Sequence, residues 1–164
     1  MRILKITIFA KILKMRLVIQ RVSRASVTVG GVLKSEIGKG MMILLGVEDA
    51  DSQDDVEWLC QKVSKLRIFE DENRAMNLDI GQVGGEFLVV SQFTLHAMTK
   101  KGNRPSFIRA ARPEHAIPIY EMFLKRLAEV SALNVLSGEF GADMQVELIN
   151  DGPVTILIDS KNRE

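Results

Sequence analysis

The stretch Val146-Glu147-Leu148-Ile149-Asn150-Asp151-Gly152-Pro153-Val154-Thr155-Ile156-Leu157-Ile158 places an apolar, strand-like run on each side of a Gly-Pro step. Proline donates no hydrogen bond to a ladder, so within sheets it is confined to edges, strand starts and bulges. The step therefore predicts two separate strands, at 143–150 and 153–159. An X-Pro bond is also where a cis peptide is accessible, and a cis Gly-Pro turns two carbonyl oxygens to the same side. Such a pair suits a small amino or hydroxyl group, although an ordinary turn stiffened by proline is the simpler interpretation.

Length and composition predict one globular domain. The chain has 164 residues, of which 46% are hydrophobic, and this is enough apolar mass for one core. Its formal charge is +1, from 22 basic and 21 acidic residues. Proteins that bind nucleic acid mainly through phosphates usually have a larger basic excess. Any contact with RNA is therefore expected to be a local patch or to be limited to the end of a strand.

Cysteine and histidine are too few to predict a disulfide or a zinc site. The single cysteine, Cys60, excludes an internal disulfide and a Cys-based zinc cluster, and it fits a reducing cytosol. The two histidines, His96 and His115, do not have metal-ligand spacing. The sequence also has no glycine motif for phosphate that ends in Lys-Ser or Lys-Thr. We therefore expect neither a metal nor another cofactor.

Residues 1–14 differ in character from the rest of the chain. They are basic and apolar, lack a small-residue cleavage site for secretion, and fall short of the roughly 18 apolar residues that a membrane span needs. Met15 opens a clean strand-like run. We therefore expect an N-terminal extension at 1–14 outside the fold, a domain at 15–159 and a polar tail at 160–164, in a cytoplasmic protein without a membrane partner.

The hydrophobic pattern predicts a mixed α/β fold. Residues 40–47 are almost continuously apolar, which is typical of a strand buried on both faces. Asp51-Ser52 offers an N-cap for a helix over 53–66, and Pro113 opens a second helix over 114–131. The remaining predicted strands, besides the two that flank Gly152-Pro153, are 15–23, 25–30, 32–37, 67–69, 86–95 and 134–138.

Conventional catalytic machinery is not evident in the sequence. The nearest approach to a triad would take Ser91 or Thr94 as nucleophile, His96 as base and a distant Asp151. However, there is no Gly-x-Ser-x-Gly elbow, and Ser91 and His96 are too close on one predicted strand to arrange a triad easily. The acidic residues within 49–55 are predicted to be solvated caps and turns.

Five segments of the sequence resemble motifs of a known family, and they occur along the chain in the same order as in that family. They are Gln20-Arg21-Val22, Gly46-Val47, Ser91-Gln92-Phe93-Thr94-Leu95, Arg104-Pro105-Ser106-Phe107 and Asn150-Asp151-Gly152-Pro153-Val154-Thr155. Together they resemble the D-aminoacyl-tRNA deacylase family, also called D-tyrosyl-tRNA deacylase, over Met15 to about Asp159. The resemblance implies an α/β fold in which antiparallel strands curl into a barrel-like sheet, two helices pack outside it, and the protein is a homodimer.

For the reaction, the resemblance implies a hydrolase that cuts the ester between a D-amino acid and the 3′ end of tRNA. Ser91, Gln92, Phe93 and Thr94 of one subunit would form the floor of the pocket. The backbone N–H groups around Gln92, Phe93 and Thr94 would hold the developing oxyanion.

For chiral selection, the resemblance implies that the neighbouring subunit completes the pocket. Its Gly152 and cis Pro153, next to Asn150, would hold the α-amino group of the substrate and crowd the space that an L side chain needs. Arg21 would brace this Gly-Pro loop. A clash of this kind cannot reject glycine, so cleavage of glycyl-tRNA, including glycine mischarged on tRNA for alanine, is also expected.

The chemistry of the ester agrees with a site that has no strong base. An aminoacyl ester is already activated, and the neighbouring 2′-OH of its ribose can assist attack by water. The protein then has to supply orientation and charge stabilisation. A covalent role for the Thr94 hydroxyl is the alternative, and it ranks lower because no base stands beside Thr94 in the sequence.

Contacts with the tRNA body and two rival functions are left open by the sequence. Lys100, Lys101 and Arg104 follow the catalytic segment in a basic loop and could meet phosphates near the acceptor end, although a solvated loop is equally compatible. The scaffold could instead serve a non-catalytic nucleic-acid-binding protein, or an editing domain that removes a mischarged L-amino acid. The intact Gly152-Pro153 favours D selectivity over the latter. No protein partner other than a second subunit is implied.

Overall fold

Residues 15–163 are described by a computed structural model of the chain. The expected extension at 1–14 lies outside the described residues. Within residues 15–163, eight strands, two α-helices and one 3₁₀ helix follow one another in this order: β1 Arg16–Val29, β2 Val32–Ile37, β3 Gly40–Gly46, α1 Gln53–Ser64, β4 Phe69–Glu70, β5 Met76–Leu78, β6 Glu86–Ser91, the 3₁₀ helix Phe93–His96, α2 Pro113–Ser131, β7 Val135–Ser137 and β8 Met144–Asp159.

The main sheet is built around β1. This strand pairs antiparallel with β2, β3 and β8, while β3 pairs parallel with β6, and β6 with β7. The resulting order is β2-β1-β3-β6-β7, with β8 alongside β1. The sheet curls into a nearly closed barrel with two helices, so the predicted α/β class is confirmed. Strands β4 and β5 form a separate two-stranded sheet.

Both faces of β3 are buried, as its continuous apolar sequence predicts. Met41, Ile43 and Leu45 belong to a core cluster that also takes in the inner faces of α1 and α2. Met42 belongs to a second cluster, together with residues of β1 and β6 such as Val22. Side chains alternate across a strand, so a strand between two apolar clusters needs hydrophobic residues at every position.

The first helix begins at a capping box. Ser52 is the N-cap, and its backbone N–H donates to the Asp55 carboxylate at 3.0 Å. Lys161 Nζ also lies 2.6 Å from this carboxylate. Asp51 and Asp55 are only 3% and 1% exposed, so the prediction that these acidic residues are solvated was wrong. They are buried because Asp55 caps the helix and pairs with Lys161, and Asp51 accepts the backbone N–H of Glu48 at 2.7 Å.

Several predicted strand boundaries were wrong, including that of 67–69, where the strand is Phe69–Glu70. The predicted strands 15–23 and 25–30 are one strand, β1, with irregular register near Val22. The two strands predicted around Gly152-Pro153 are likewise one strand, β8, which bulges at this step where it passes β1. Among residues 15–163, β8 pairs only with β1, so its other edge accommodates a proline. The strand predicted to reach Leu95 ends at Ser91.

Candidate active site

The segment Ser91–Thr94 lies where the parallel strand β6 ends. The backbone N–H of Gln92 donates to the Leu45 carbonyl at 2.8 Å, and this bond fixes the start of the segment to β3. The chain then turns into the 3₁₀ helix, which leaves Phe93 57% exposed and Thr94 exposed. The predicted floor residues are therefore presented at the surface by a buried strand.

A cavity of about 270 Å³ adjoins this segment. Ser91, Gln92 and Phe93 line one side of it, and Phe140, Gly141, Ala142 and Met144 are among the residues that line the rest. These latter residues were not predicted from the sequence. Gly141, with its positive φ of 78°, marks a turn in the sequence, but nothing there indicates that the turn faces Ser91.

The backbone N–H groups of this segment are not equally free to bind an oxyanion. The N–H of Gln92 is already bonded to Leu45, so it is less available than the other two expected oxyanion donors. The first N–H groups of a helix have no acceptor within that helix. Of the three N–H groups considered, those of Phe93 and Thr94 are therefore the candidates.

The Thr94 hydroxyl is bonded to an amide. Gln92 Nε2 donates to Thr94 Oγ1, and an amide nitrogen cannot take up the proton of a nucleophile. His96 is turned into the protein, with its Nδ1 2.9 Å from Glu48 Oε1. Burial lowers the pKa of His96, against the opposing effects of the Gly46 backbone and Glu48. The contacts therefore give no support to a triad of Thr94 and His96.

Gly152 and Pro153 lie at the exposed bulge of β8, joined by a cis peptide bond. Gly152 has a φ of +149°, and a Cβ there would lie 2.8 Å from the Val154 nitrogen. Asn150 holds the bulge together, because its Oδ1 accepts the Val154 N–H at 2.7 Å and its Nδ2 donates to the Val154 carbonyl at 3.1 Å. Position 152 accordingly favours glycine, and the hydrogen bonds of Asn150 fix the backbone conformation of the bulge.

Arg21, a buried residue of β1, contacts the loop that carries Gly152 and Pro153. It is 3% exposed, and its Nε donates to the Asp151 carbonyl at 2.8 Å. Its Nη1 donates to the Ile68 carbonyl at 2.7 Å, while Nη2 lies 3.6 Å from the Glu70 carboxylate. One buried guanidinium thus ties the loop to the segment that precedes and forms β4.

The two signature segments lie apart within one chain. The Gly-Pro bulge is opposite Arg21 on β1, whereas Arg16 of the same strand reaches the 3₁₀ helix by donating to the Leu95 carbonyl at 2.9 Å. Five residues of a strand span about 16 Å. None of residues 150–153 lines the cavity beside Ser91. A single chain consequently holds both segments without bringing them together.

The basic residues predicted to meet tRNA lie on a separate loop. Met98 and Ser106 pair through backbone bonds of 2.8 and 3.0 Å, and this pairing closes a loop that carries Lys100, Lys101 and Arg104. All three are exposed, and none of them lines the cavity.

Two further structural properties concern membranes and metals. Within residues 15–163, neither helix has the length and hydrophobicity that a membrane crossing requires. The same range contains no group of three or more histidine, cysteine or acidic side chains arranged to hold a metal ion.

Two solved structures are similar to this one. The c-Myc DNA Unwinding Element Binding Protein matches with a TM-score of 0.81 and 44% sequence identity, over 87% of this chain and 97% of that chain. A probable eukaryotic D-amino acid tRNA deacylase matches with a TM-score of 0.76 over 89% of this chain and 99% of that one. Its identity is 17%, so this second match shows the fold alone.

Sequence comparison extends the likeness to whole proteins. The D-aminoacyl-tRNA deacylase of Bacteroides thetaiotaomicron is 60% identical over 150 residues, which cover 92% of this chain and 100% of that protein. The D-aminoacyl-tRNA deacylase of Akkermansia muciniphila is 63% identical with the same coverage. A family model for D-Tyr-tRNA(Tyr) deacylase matches residues 18–159. The resemblance of the sequence motifs is thereby confirmed, and the chain belongs to the D-Tyr-tRNA(Tyr) deacylase family.

Proposed function

We propose that this protein hydrolyses the ester bond of D-aminoacyl-tRNA and releases the free D-amino acid and tRNA. Family membership and the names of relatives at about 60% identity support the activity. The observation that carries the mechanism is the exposed pair Phe93 and Thr94 at the start of the 3₁₀ helix, with Phe93 lining a cavity and the Thr94 hydroxyl bonded to an amide. This arrangement can stabilise charge, and it does not require a nucleophile of the protein.

In the proposed reaction, a water molecule attacks the ester carbonyl carbon. The carbonyl oxygen becomes an oxyanion that the N–H groups of Phe93 and Thr94 stabilise, and such donors are each worth about 10²–10³ in rate. The bond to the ribose oxygen then breaks, and that oxygen takes the proton that the water loses, which releases the amino acid and the tRNA. The 2′-OH of the ribose assists the attack, so the protein's contribution is orientation and charge stabilisation.

A second copy of the chain would supply the Gly-Pro loop to this cavity. The separation of the two segments within one chain supports this arrangement, because neither segment reaches the other. Large apolar side chains are exposed near both segments: Phe93 is 57% exposed, Ile149 59% and Leu157 76%. Exposed apolar surface of this kind often marks an interface. In a two-fold dimer each loop would enter the cavity of the other subunit.

Chiral selection would follow from this shared site. The carbonyl oxygens of Gly152 and Pro153 would accept hydrogen bonds from the α-amino group of the substrate. The main chain of Phe93 and Thr94 in the other subunit would hold the carbonyl group of the ester. With the amino group and the ester carbonyl of the substrate fixed, its side chain can extend in only one direction. Only the side chain of a D-amino acid reaches solvent in that direction. Glycine has no side chain to reject, so glycyl-tRNA, including glycine mischarged on tRNA for alanine, would be cleaved as well.

Nucleic-acid binding without catalysis is the second candidate. It is favoured by the likeness to the c-Myc DNA Unwinding Element Binding Protein and by the exposed Lys100, Lys101 and Arg104. The near-neutral net charge of +1 does not favour binding through phosphates over a large surface.

A deacylation assay separates the two candidates. The purified protein is incubated with D-Tyr-tRNA, L-Tyr-tRNA and glycyl-tRNA, and the remaining aminoacyl-tRNA is followed over time. We expect rapid loss of D-Tyr-tRNA, cleavage of glycyl-tRNA and no loss of L-Tyr-tRNA above background. Binding of tRNA without hydrolysis would support the second candidate, and equal hydrolysis of D- and L-Tyr-tRNA would contradict the chiral site.

The shared site is tested by mixing two inactive variants, Phe93→Pro and Gly152→Ala. Unfolding and refolding them together should restore about a quarter of the wild-type activity, since half of the random dimers are mixed and each has one intact site. Sites built within a single chain would remain inactive in every mixture, and that result would exclude a loop donated by the partner. Each variant refolded alone is the control.

A further inference from the structure

We propose that His96 is a positioning residue, which together with Glu48 and Gly46 sets the place of the Phe93–Thr94 main chain. The proposal rests on the proposed function, in which that main chain holds the reacting ester. His96 and Glu48 face each other at 2.9 Å, and their side chains are 0% and 2% exposed. Burying a polar ring is costly, and the Glu48 carboxylate is the polar group that lies beside the ring at ion-pair distance.

The pair fastens the end of the 3₁₀ helix to the segment after β3. Glu48 lies two residues after Gly46, which is the last residue of β3. His96 is the last residue of the 3₁₀ helix. The start of the segment is held separately, because the Gln92 N–H donates to Leu45. Two tethers thus hold one short turn against one strand end. A 3₁₀ helix of this length has few bonds of its own, so its tethers decide where its main chain lies.

Gly46 provides the space for this arrangement. A Cβ at position 46 would lie 2.7 Å from His96 Nε2 and 3.1 Å from the Gln92 carbonyl oxygen. The ring of His96 and the start of the segment therefore pack against the same glycine. Because His96 ends the 3₁₀ helix that begins at Phe93, we expect a displaced ring to shift the main chain of Phe93 and Thr94.

Arg16 provides a third tether, since its Nη1 donates to the Leu95 carbonyl at 2.9 Å. Its charge also opposes protonation of His96, whereas Glu48 and the Gly46 backbone favour it, and burial outweighs both by lowering the pKa. The carboxylate of Asp51 contacts the backbone N–H of Glu48. The ring thus lies among fixed groups, which suits a positioning role better than proton transfer to the substrate.

The kinetic test compares His96→Leu with His96→Gln. Leucine removes the polar contact, whereas glutamine can still donate to Glu48. We expect His96→Leu to lower kcat for D-Tyr-tRNA at least about tenfold with KM within about twofold, because small misplacements cost rate. His96→Gln should restore kcat to within about threefold of the wild type. The control His115→Gln, at the other histidine of the chain, should leave kcat unchanged. Equal kcat for the Leu and Gln variants, or a rise in KM alone, would overturn the proposal.

Amide hydrogen exchange gives a readout that does not depend on activity. In His96→Gln and His96→Leu, and in the milder Glu48→Gln, peptides covering 91–97 are compared with those covering α2. We expect faster exchange at 91–97 in the Leu variant, near wild-type exchange in the Gln variants and no change in α2. If exchange at 91–97 is unchanged in His96→Leu, the tether does not position the segment. If exchange changes as expected but the wild type cleaves no D-Tyr-tRNA, the proposed function fails and the tether stands.

Discussion

Arg21 and Asp151 join the middle of β1 to the loop that carries Gly152 and Pro153, through a 2.8 Å bond from Nε to the Asp151 carbonyl. The same guanidinium serves the Ile68 carbonyl. Arg21→Lys keeps the charge but loses the planar fork, so one buried carbonyl is left without a donor. We expect a loss of about 1–3 kcal/mol in the free energy of unfolding, measured by denaturant titration, together with reduced kcat on D-Tyr-tRNA. Arg24→Lys, at an exposed pair with Glu147, is the control, and equal stability of the two variants would contradict the bracing role.

The oxyanion donor at position 93 can be removed without removing the helix. Proline is tolerated at the first position of a helix, and Gln92, at φ −144° and ψ 85°, lies outside the α region that proline disfavours in the residue before it. Phe93→Pro lacks the N–H, whereas Phe93→Ala keeps it and lacks only the ring. We expect Phe93→Pro to have a kcat about 10²–10³ below that of Phe93→Ala, measured in single-turnover deacylation. Equal rates would show that this N–H does not bind the oxyanion.

The Thr94 hydroxyl is expected to be dispensable for chemistry. It accepts a bond from Gln92, and water is the proposed nucleophile, so Thr94→Ala should slow kcat by less than about tenfold, the range of a lost neutral hydrogen bond. The rate is followed with D-Tyr-tRNA, and the wild type is quenched during turnover and analysed by mass spectrometry. A total loss of activity, with a D-tyrosyl adduct on Thr94 of the wild type, would establish covalent catalysis instead.

The exposed basic loop is expected to contribute to tRNA affinity. The double variant Lys100→Glu and Lys101→Glu should raise KM for D-Tyr-tRNA and reduce the salt dependence of log KM by about 0.7 for each phosphate that the loop no longer neutralises. Because neither residue lines the cavity, kcat should be unchanged. The double variant Lys65→Glu and Lys125→Glu, at exposed lysines outside the loop, makes the same change in net charge and is the control. Kinetics identical to the wild type at every salt concentration would assign the loop no role in binding.

Asp51 is expected to make stability depend on pH. Burial raises the pKa of Asp51 from 3.8 to about 7. Its contribution to stability is therefore complete below pH 3.8 and is lost as the pH rises to about 7, since the unfolded chain ionises first. The side chain in Asp51→Asn cannot ionise. The free energy of unfolding of this variant, relative to that of the wild type, should therefore grow by about 1–3 kcal/mol between pH 4.5 and 7.5. Thermal unfolding at the two pH values measures this growth.

The control for this measurement is Asp54→Asn, which lies at an exposed position of the same helix. Its difference from the wild type, measured at the same two pH values, is the baseline with which Asp51→Asn is compared. A difference between Asp51→Asn and the wild type that does not change with pH would show that Asp51 is not held neutral in the folded protein.

Local patterns predicted the elements whose neighbours are also local. The apolar run of β3 and the cap at Ser52 were sufficient to place a buried strand and α1, because side-chain periodicity and capping depend on residues a few positions apart. The Gly-Pro step misled the same reasoning. It indicated two strands, whereas pairing with β1 on both sides of the bulge keeps β8 continuous.

The candidate site also combines features that the sequence predicted with features that it did not predict. Ser91, Phe93, Thr94 and Gly152 were predicted as site residues, and their positions at the surface are compatible with that role. The pairing of His96 with Glu48 was not predicted, since it joins two segments that are distant in sequence. The burial of Asp51 was also not predicted, although the Glu48 N–H that it accepts is only three residues away.

The sequence by itself determined the class of elements and the family, and it predicted which two short segments carry the chemistry, because these follow from residue types at fixed local spacing. Only the tertiary structure decided that the Gln92 N–H is already bonded to Leu45 and that the Gly-Pro loop lies away from the cavity of its own chain. The physical reason is that hydrogen bonds between distant strands are set by sheet register, and register is a property of the whole sheet.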